Sequence, residues 1–208
     1  MGESPFCKFR TMCFAECLPQ DALAFCVFAQ QETERDMPGF AENYTGVRKE
    51  EFAVKIRRAE EKDIPEIDKL LNQVNLVHHK IRPDLFKIGR KYSDSQLKEL
   101  LADDSRPVFA AVDEENRLIG YCMCAREQIK GDSIRTEVKT LYIDDLCVDQ
   151  EIRGQHIGQK LFEHVKQYAE ENHFYNVTLH VWQGNDGAEK FYEAMGMKPQ
   201  FICMEQVL

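Results

Sequence analysis

The run Leu146-Cys147-Val148-Asp149-Gln150-Glu151-Ile152-Arg153-Gly154-Gln155-His156-Ile157-Gly158-Gln159-Lys160-Leu161 reads as a strand, a glycine-bearing loop and the opening of a helix. Such a corner leaves backbone N–H groups unpaired at the positive end of a helix dipole, and both features suit a pyrophosphate. Arg153 and Lys160 can add positive charge beside it. The glycine spacing is neither GxGxxG nor the Walker pattern, which disfavours a dinucleotide or nucleoside triphosphate. Taken alone the corner is weak evidence, because many α/β proteins carry a glycine at such a turn.

Outward from the corner the pattern is regular. Thr140 to Val148 is a strand in which Leu141 and Ile143 share one parity while Leu146 and Val148 share the other, with Asp144 and Asp145 between. That phase slip fits a β-bulge, and equally an irregularly patterned buried strand. Before it, Val108 to Val112, a polar turn at Asp113 to Asn116 and Leu118 to Ala125 form a hairpin. Ser93 and Gln96 make a capping box ahead of Leu97, Leu100 and Leu101. Asp63 and Glu66 carry the same signature ahead of a helix with Ile64, Ile67, Leu70, Leu71 and Val74 on one face. Val54 to Arg58 is a short strand. After the corner, Leu161, Phe162, Val165, Tyr168 and Ala169 line one helix face, Val177 to Trp182 is a strand, and Asn185 or Asp186 caps a last helix that Gly196 stops. Lys198 to Leu208 reads as a final strand. This alternation gives an α/β (α+β) class, with one domain over residues 54–208.

Residues 1–53 differ in character. Gln30 to Glu51 is polar, has no sustained period and reads as linker or disorder. Arg48-Lys49-Glu50-Glu51 can be encoded by purine-rich codons at a suitable distance before Val54, so the stretch is either a flexible extension or a mis-annotated start. Cys7, Cys13, Cys17 and Cys26 lack paired CxxC spacing and no histidine precedes His78, which disfavours zinc and leaves no metal expected. Cys122, Cys124, Cys147 and Cys203 lie in apolar segments as small buried hydrophobes, which suits a reducing, cytoplasmic compartment. A net charge of -9 disfavours general nucleic-acid binding and suits a cationic partner. No apolar run is long enough to cross a bilayer, so no membrane role is expected.

A second motif follows about thirty residues after the first, Asn185-x-x-Ala188-x-x-Phe191-Tyr192-x-x-x-Gly196-Met197. Together with Leu146-Cys147-Val148-x-x-x-x-Arg153-Gly154-Gln155-His156-Ile157-Gly158, it resembles the GNAT superfamily of acyl-CoA-dependent N-acetyltransferases. The resemblance runs from about Ile56 to Val207. It implies a mixed, mostly antiparallel central sheet flanked by helices, whose middle strands splay to admit acetyl-CoA. It further implies that the backbone of Leu146, Cys147 and Val148 binds the pantetheine arm. Arg153, Gly154, Gln155, His156, Ile157, Gly158 and Gln159 would hold the pyrophosphate, Asn185 would line the cofactor site, and Tyr192 would protonate the departing sulfur. The chain departs from the family pattern at His156, where glycine is usual. Histidine is among the residues that best tolerate positive φ, so the loop can still form.

The chemistry demands a neutral amine that attacks a thioester, so an ammonium must first lose its proton. His180 is one candidate base, in the strand position where some relatives carry a glutamate. Asp144 and Asp145 are rivals that can instead hold a cationic acceptor, and base catalysis through water is equally open. His79 lies in the segment that relatives use to cover the acceptor. A backbone N–H near Val148 can stabilise the oxyanion. No covalent acyl-enzyme is needed, so Cys147 reads as a packing residue. The expected reaction is acetyl transfer to a small-molecule or peptide amine. The alternative is a non-catalytic CoA-binding or regulatory module of the same fold. Paired use of the last strands would make a homodimer.

Overall fold

The computed structural model describes Phe25–Cys26 and residues 53–208; the predicted extension, with its four cysteines and its purine-codon segment, otherwise lies outside the described residues. The strands are β1 (Phe25–Cys26), β2 (Lys55–Arg58), β3 (Val108–Val112), β4 (Leu118–Gln128), β5 (Lys139–Val148) and β6 (Asn176–Thr178). The helices are α1 (Ile64–Ile81), α2 (Asp94–Ala102), α3 (Ile157–Glu171) and α4 (Asp186–Ala194). Strands β2, β3, β4 and β5 form an antiparallel series, and β6 and β1 both run parallel to β5 along its other edge.

The sheet is buried on both faces, and its alternation sorts side chains into two cores. Val108, Ala110, Val112, Tyr121, Met123 and Cys147 face Ile67, Leu70, Leu71 and Val74 of α1 and Leu97 and Leu100 of α2. Phe109, Ala111, Cys122, Leu141, Ile143, Leu146 and Val148 face Ile157, Leu161, Phe162 and Val165 of α3 and Ala188 and Tyr192 of α4. Fully burying one such side chain stabilises the fold by about 1.5–3 kcal/mol. Gly120 allows the close approach of α3, since a Cβ there would meet the Cys147 carbonyl oxygen at 3.0 Å and Leu161 at 3.3 Å.

The phase slip in β5 is a bulge. Met123 pairs with Asp145 and the next residue, Cys124, pairs with Ile143, so Asp144 is the extra residue. The hairpin and the Ser93–Gln96 box form as expected: Ser93 N donates to Gln96 Oε1 at 2.8 Å and Gln96 N donates to Ser93 Oγ at 3.3 Å.

Three expectations are corrected. Asp63 forms no side-chain cap on α1, because Arg57 engages its carboxylate at 2.7 and 2.9 Å and Glu60 N donates to it at 2.8 Å. Burial pushes the Asp63 carboxyl up, yet the bonds from Arg57 and Glu60 N hold it below its usual range. The strand expected over Val177 to Trp182 ends at Thr178, where the chain turns away from β5. Lys198 to Leu208 forms no strand, and Phe201, Ile202, Met204 and Val207 are exposed.

Candidate active site

The corner is fixed before it reaches the helix. Asp149 accepts hydrogen bonds from Lys69 Nζ at 2.7 Å and Gln73 Nε2 at 3.2 Å, which ties the end of β5 to α1. Arg153 Nε donates to the Val148 carbonyl at 3.2 Å and folds the loop back on the strand. Gly154 then takes φ +81° with open space where a Cβ would point, and His156 takes φ 58°. Both lie in the left-handed region, so the histidine stands in a conformation that glycine adopts without strain.

Helix α3 begins with no side chain capping its N–H groups and no acidic residue in its first turn. The other three helices each carry acid there, Glu66 in α1, Asp94 in α2 and Asp186 with Glu189 in α4. Among the described helices, α3 is therefore the one whose positive end is left for an external anion. Gly154, Gln155 and His156 are exposed, Arg153, Gln159 and Lys160 are half-buried, and Ile157 and Gly158 are buried beneath them.

Beside this corner the sheet opens. Strand β6 pairs with β5 only from Thr140 to Tyr142, whereas β5 continues to Val148. Phe25 and Cys26 pair with Asp145 and Leu146 on the same edge. The chain leaving β6 is held away from β5 by ring contacts. Trp182 packs edge-on against Phe86 at 5.4 Å, Phe86 lies 5.3 Å from His78, and Arg82 sits over Trp182 at 5.8 Å.

On the α1/α2 face the bulge puts two adjacent carboxylates on the same side. Lys91 Nζ lies 3.4 Å from Asp144 Oδ2 and 3.7 Å from Asp145 Oδ2, and both acids are buried. Burial pushes the Asp145 carboxyl up to about 7, against the pull of Lys91. A cleft of about 680 Å³ adjoins this cluster, with His78, Phe86, Lys91, Tyr92 and Arg106 in its wall. His78 is 2% exposed, and burial lowers its imidazole to about 4, so it is neutral at pH 7. His79, the residue expected at the acceptor, does not line the cleft; its Nδ1 lies 2.7 Å from the Phe86 carbonyl and ties down the covering loop. His78 was legible as the next step of the apolar series Leu70, Leu71, Val74. Lys91 carries no local signal, since it reaches the acids only through the fold.

His180 stands just past β6, its Nδ1 3.0 Å from Tyr142 Oη and its ring 5.8 Å from Phe201. Partial burial lowers its pKa. Tyr192 lies on the opposite face, 3% exposed, in the same core as Leu146 and Val148, with Phe162 at 5.9 Å and Phe191 at 5.0 Å. Asn185 caps α4 through its Oδ1, which accepts from Ala188 N at 3.4 Å. Cys147 is fully buried and burial raises its thiol well above the ordinary range, so it is no ready nucleophile. Among the described residues no helix is long and apolar enough to cross a membrane, and no three His, Cys, Asp or Glu side chains are placed to hold a metal ion.

A mixed sheet that opens between β5 and β6 beside an uncapped helix start places the chain in the α/β class. The chain belongs to the Acetyltransferase (GNAT) family, whose model matches residues 74–197. It is similar to the BH1408 protein of Bacillus halodurans, of which one mutant's crystal structure has a TM-score of 0.72 and 32% identity over 74% of this chain and 99% of that one. An aminoglycoside acetyltransferase from an uncultured soil metagenomic sample, solved with trehalose, has a TM-score of 0.55 and 25% identity over 74% of this chain and 96% of that one. The peptidyl-lysine N-acetyltransferase YjaB of Salmonella typhimurium is 28% identical over 106 residues, half of this chain and 60% of that relative's length.

Proposed function

We propose that this protein transfers an acetyl group from acetyl-CoA to a primary amine, by direct attack of the neutral amine. The observation that carries the reading is the uncapped start of α3 beside a β5 edge that β6 leaves after Tyr142. The residues present fit the donor: Arg153 to Gln159 offer helix N–H groups and positive charge to its diphosphate. The backbone of Leu146, Cys147 and Val148 offers a strand edge to its amide arm. Asn185 fixes the start of the helix that carries Tyr192. Acetyl-CoA supplies an activated thioester. Phe25–Cys26 pairs with Asp145 and Leu146, the second of which the donor also uses, and gives way to the donor in this reading.

The chain's own groups divide the proton work between the two faces. On the acceptor side, Asp144 and Asp145 attract a cationic amine. His180, held at Tyr142 and kept neutral by partial burial, takes its proton. On the donor side, the Tyr192 phenol gives a proton to the leaving sulfur. The α1–α2 loop, pinned by His79 to the Phe86 carbonyl, keeps water off the acceptor. The likeness to a peptidyl-lysine and to an aminoglycoside acetyltransferase supports an amine acceptor.

Calorimetry and thermal unfolding with acetyl-CoA test the donor site, since a ligand at about 100 times its Kd stabilises by roughly 2.7 kcal/mol. Thiol release with a panel of amines then tests transfer. No heat with either free or acetylated coenzyme on folded protein would overturn the donor site. Heat without thiol release from any amine would leave a binding module.

A further inference from the structure

The bulge encloses more acid than base. Asp144 and Asp145 point to the same side because the extra residue breaks the strand's alternation. Burial pushes the Glu127 carboxyl on β4 up, and the nearby Asp144 adds to the push. Against these three acids Lys91 brings an ammonium, 19% exposed, from the loop between α1 and α2. Arg106 lies further along the cleft wall. Asp145 is 0% exposed, and the ammonium at 3.7 Å is its charged partner among the described residues. Burying a carboxylate this deeply demands a cation or a proton. The phenol of Tyr121, also fully buried, stands beside it.

We propose that the Asp144–Asp145 pair is a subsite for one unbranched primary alkylammonium, and that Lys91 is its resident occupant until a cationic acceptor displaces it. The inference rests on the acetyl-transfer reading only for the word acceptor; the subsite itself is a matter of charge and shape. The occupant now seated is a four-carbon chain ending in a primary ammonium. The acceptor it stands in for is of the same chemistry, a lysine side chain or a linear diamine, in preference to a bulky or anionic amine. Lys91 is then a specificity residue. It supplies the charge that the empty subsite needs, and its loop covers the cleft while it stays there.

Lys91→Ala removes the occupant and leaves the space of its stem. Titrated with n-butylammonium chloride, this variant is expected to show a saturable rise in unfolding midpoint of about 5 °C near saturation. Lys91→Met, whose stem fills the same space, is expected to respond no more than to sodium chloride at equal ionic strength, and the intact protein only at higher n-butylammonium concentrations, because there the ligand must first displace Lys91. Equal responses in all three proteins, or none in Lys91→Ala, overturn the proposal. If Lys91→Ala does not fold unaided, n-butylammonium in the refolding buffer is expected to raise the yield of folded protein, and no gain over sodium chloride overturns it. The outcome is separable from the acetyl-transfer reading. A saturable rescue without thiol release from any amine keeps the subsite and removes the enzyme, whereas turnover without rescue does the reverse.

Discussion

A histidine at φ 58° is an unusual way to start a helix that must meet an anion. The left-handed conformation costs a side-chain-bearing residue roughly 1–2 kcal/mol, while glycine would lose about 0.5–1 kcal/mol through unfolded-state entropy. His156→Gly is therefore expected to stabilise the protein by about 0.5–1 kcal/mol in urea unfolding, with acetyl-CoA affinity retained. A loss of stability would mean that the imidazole makes a favourable contact. Tyr192→Phe is expected to lower kcat by about a hundredfold, the lower end for a general acid, with the KM for acetyl-CoA little changed. Unchanged turnover at every pH would remove the acid assignment. At this scale the sequence was informative where a residue acts through its neighbours in the chain. Ser93 with Gln96 is a local pair that its spacing announced, and of the two caps open for the last helix, Asn185 or Asp186, the structure uses Asn185. Asp63 announced a cap in the same way, but its carboxylate is taken by Arg57, six residues earlier, on a strand whose position only the fold decides. His79 and His78 differ by one step of a helix, and the four-residue step from Val74 selects His78 as the buried one, whereas the expectation fell on His79.

Strand β5 is where pairing and ligand meet. Its edge from Ile143 onward is left by β6, and Phe25–Cys26 covers Asp145 and Leu146. A donor arm bound along Leu146 to Val148 shares Leu146 with that strand and competes with it, and a competing internal state reduces apparent affinity by the fraction of molecules it occupies. Removing residues 1–52 is expected to tighten acetyl-CoA binding by roughly threefold or more in calorimetry. Weaker binding would mean that the segment supports the site. Helices α1, α3 and α4 were legible because each carries a continuous apolar stripe, and β3 with β4 because a polar turn separates two apolar runs. The length of β6 was not legible. Leu179 and Val181 continue an alternating pattern, yet the rings of Trp182 and Phe86 draw the chain off the sheet. The terminal residues 198–208 carry the apolar run Phe201 to Met204, but an apolar run becomes a strand only where it pairs with another.

Over the whole molecule two buried groups titrate in the same window with opposite effect. Between about pH 4 and 7 the folded chain keeps a proton on Asp145 that the unfolded chain has released, so this contribution falls as pH rises. His78 is neutral in the fold down to about 4 against an ordinary value of 6.5, so its contribution falls as pH drops through that range. Asp145→Asn is expected to gain stability relative to the intact protein as pH rises from about 4 to 7, and His78→Leu to gain as pH falls from 6.5 to about 4, both measured by urea unfolding. A flat difference in either series would show that the group's proton affinity is the same folded and unfolded. The two-faced core was readable from alternation, but which acids would be buried against which base was not, because Lys91 and Asp145 lie far apart in the chain. The widened strand also bears on chain length. Deleting Asp144 would restore one-to-one pairing while Ile143 and Leu146 still turned toward α3 and Asp145 toward α1. A codon gained or lost at that point changes how many carboxylates the pocket holds without shifting either half of the strand out of frame.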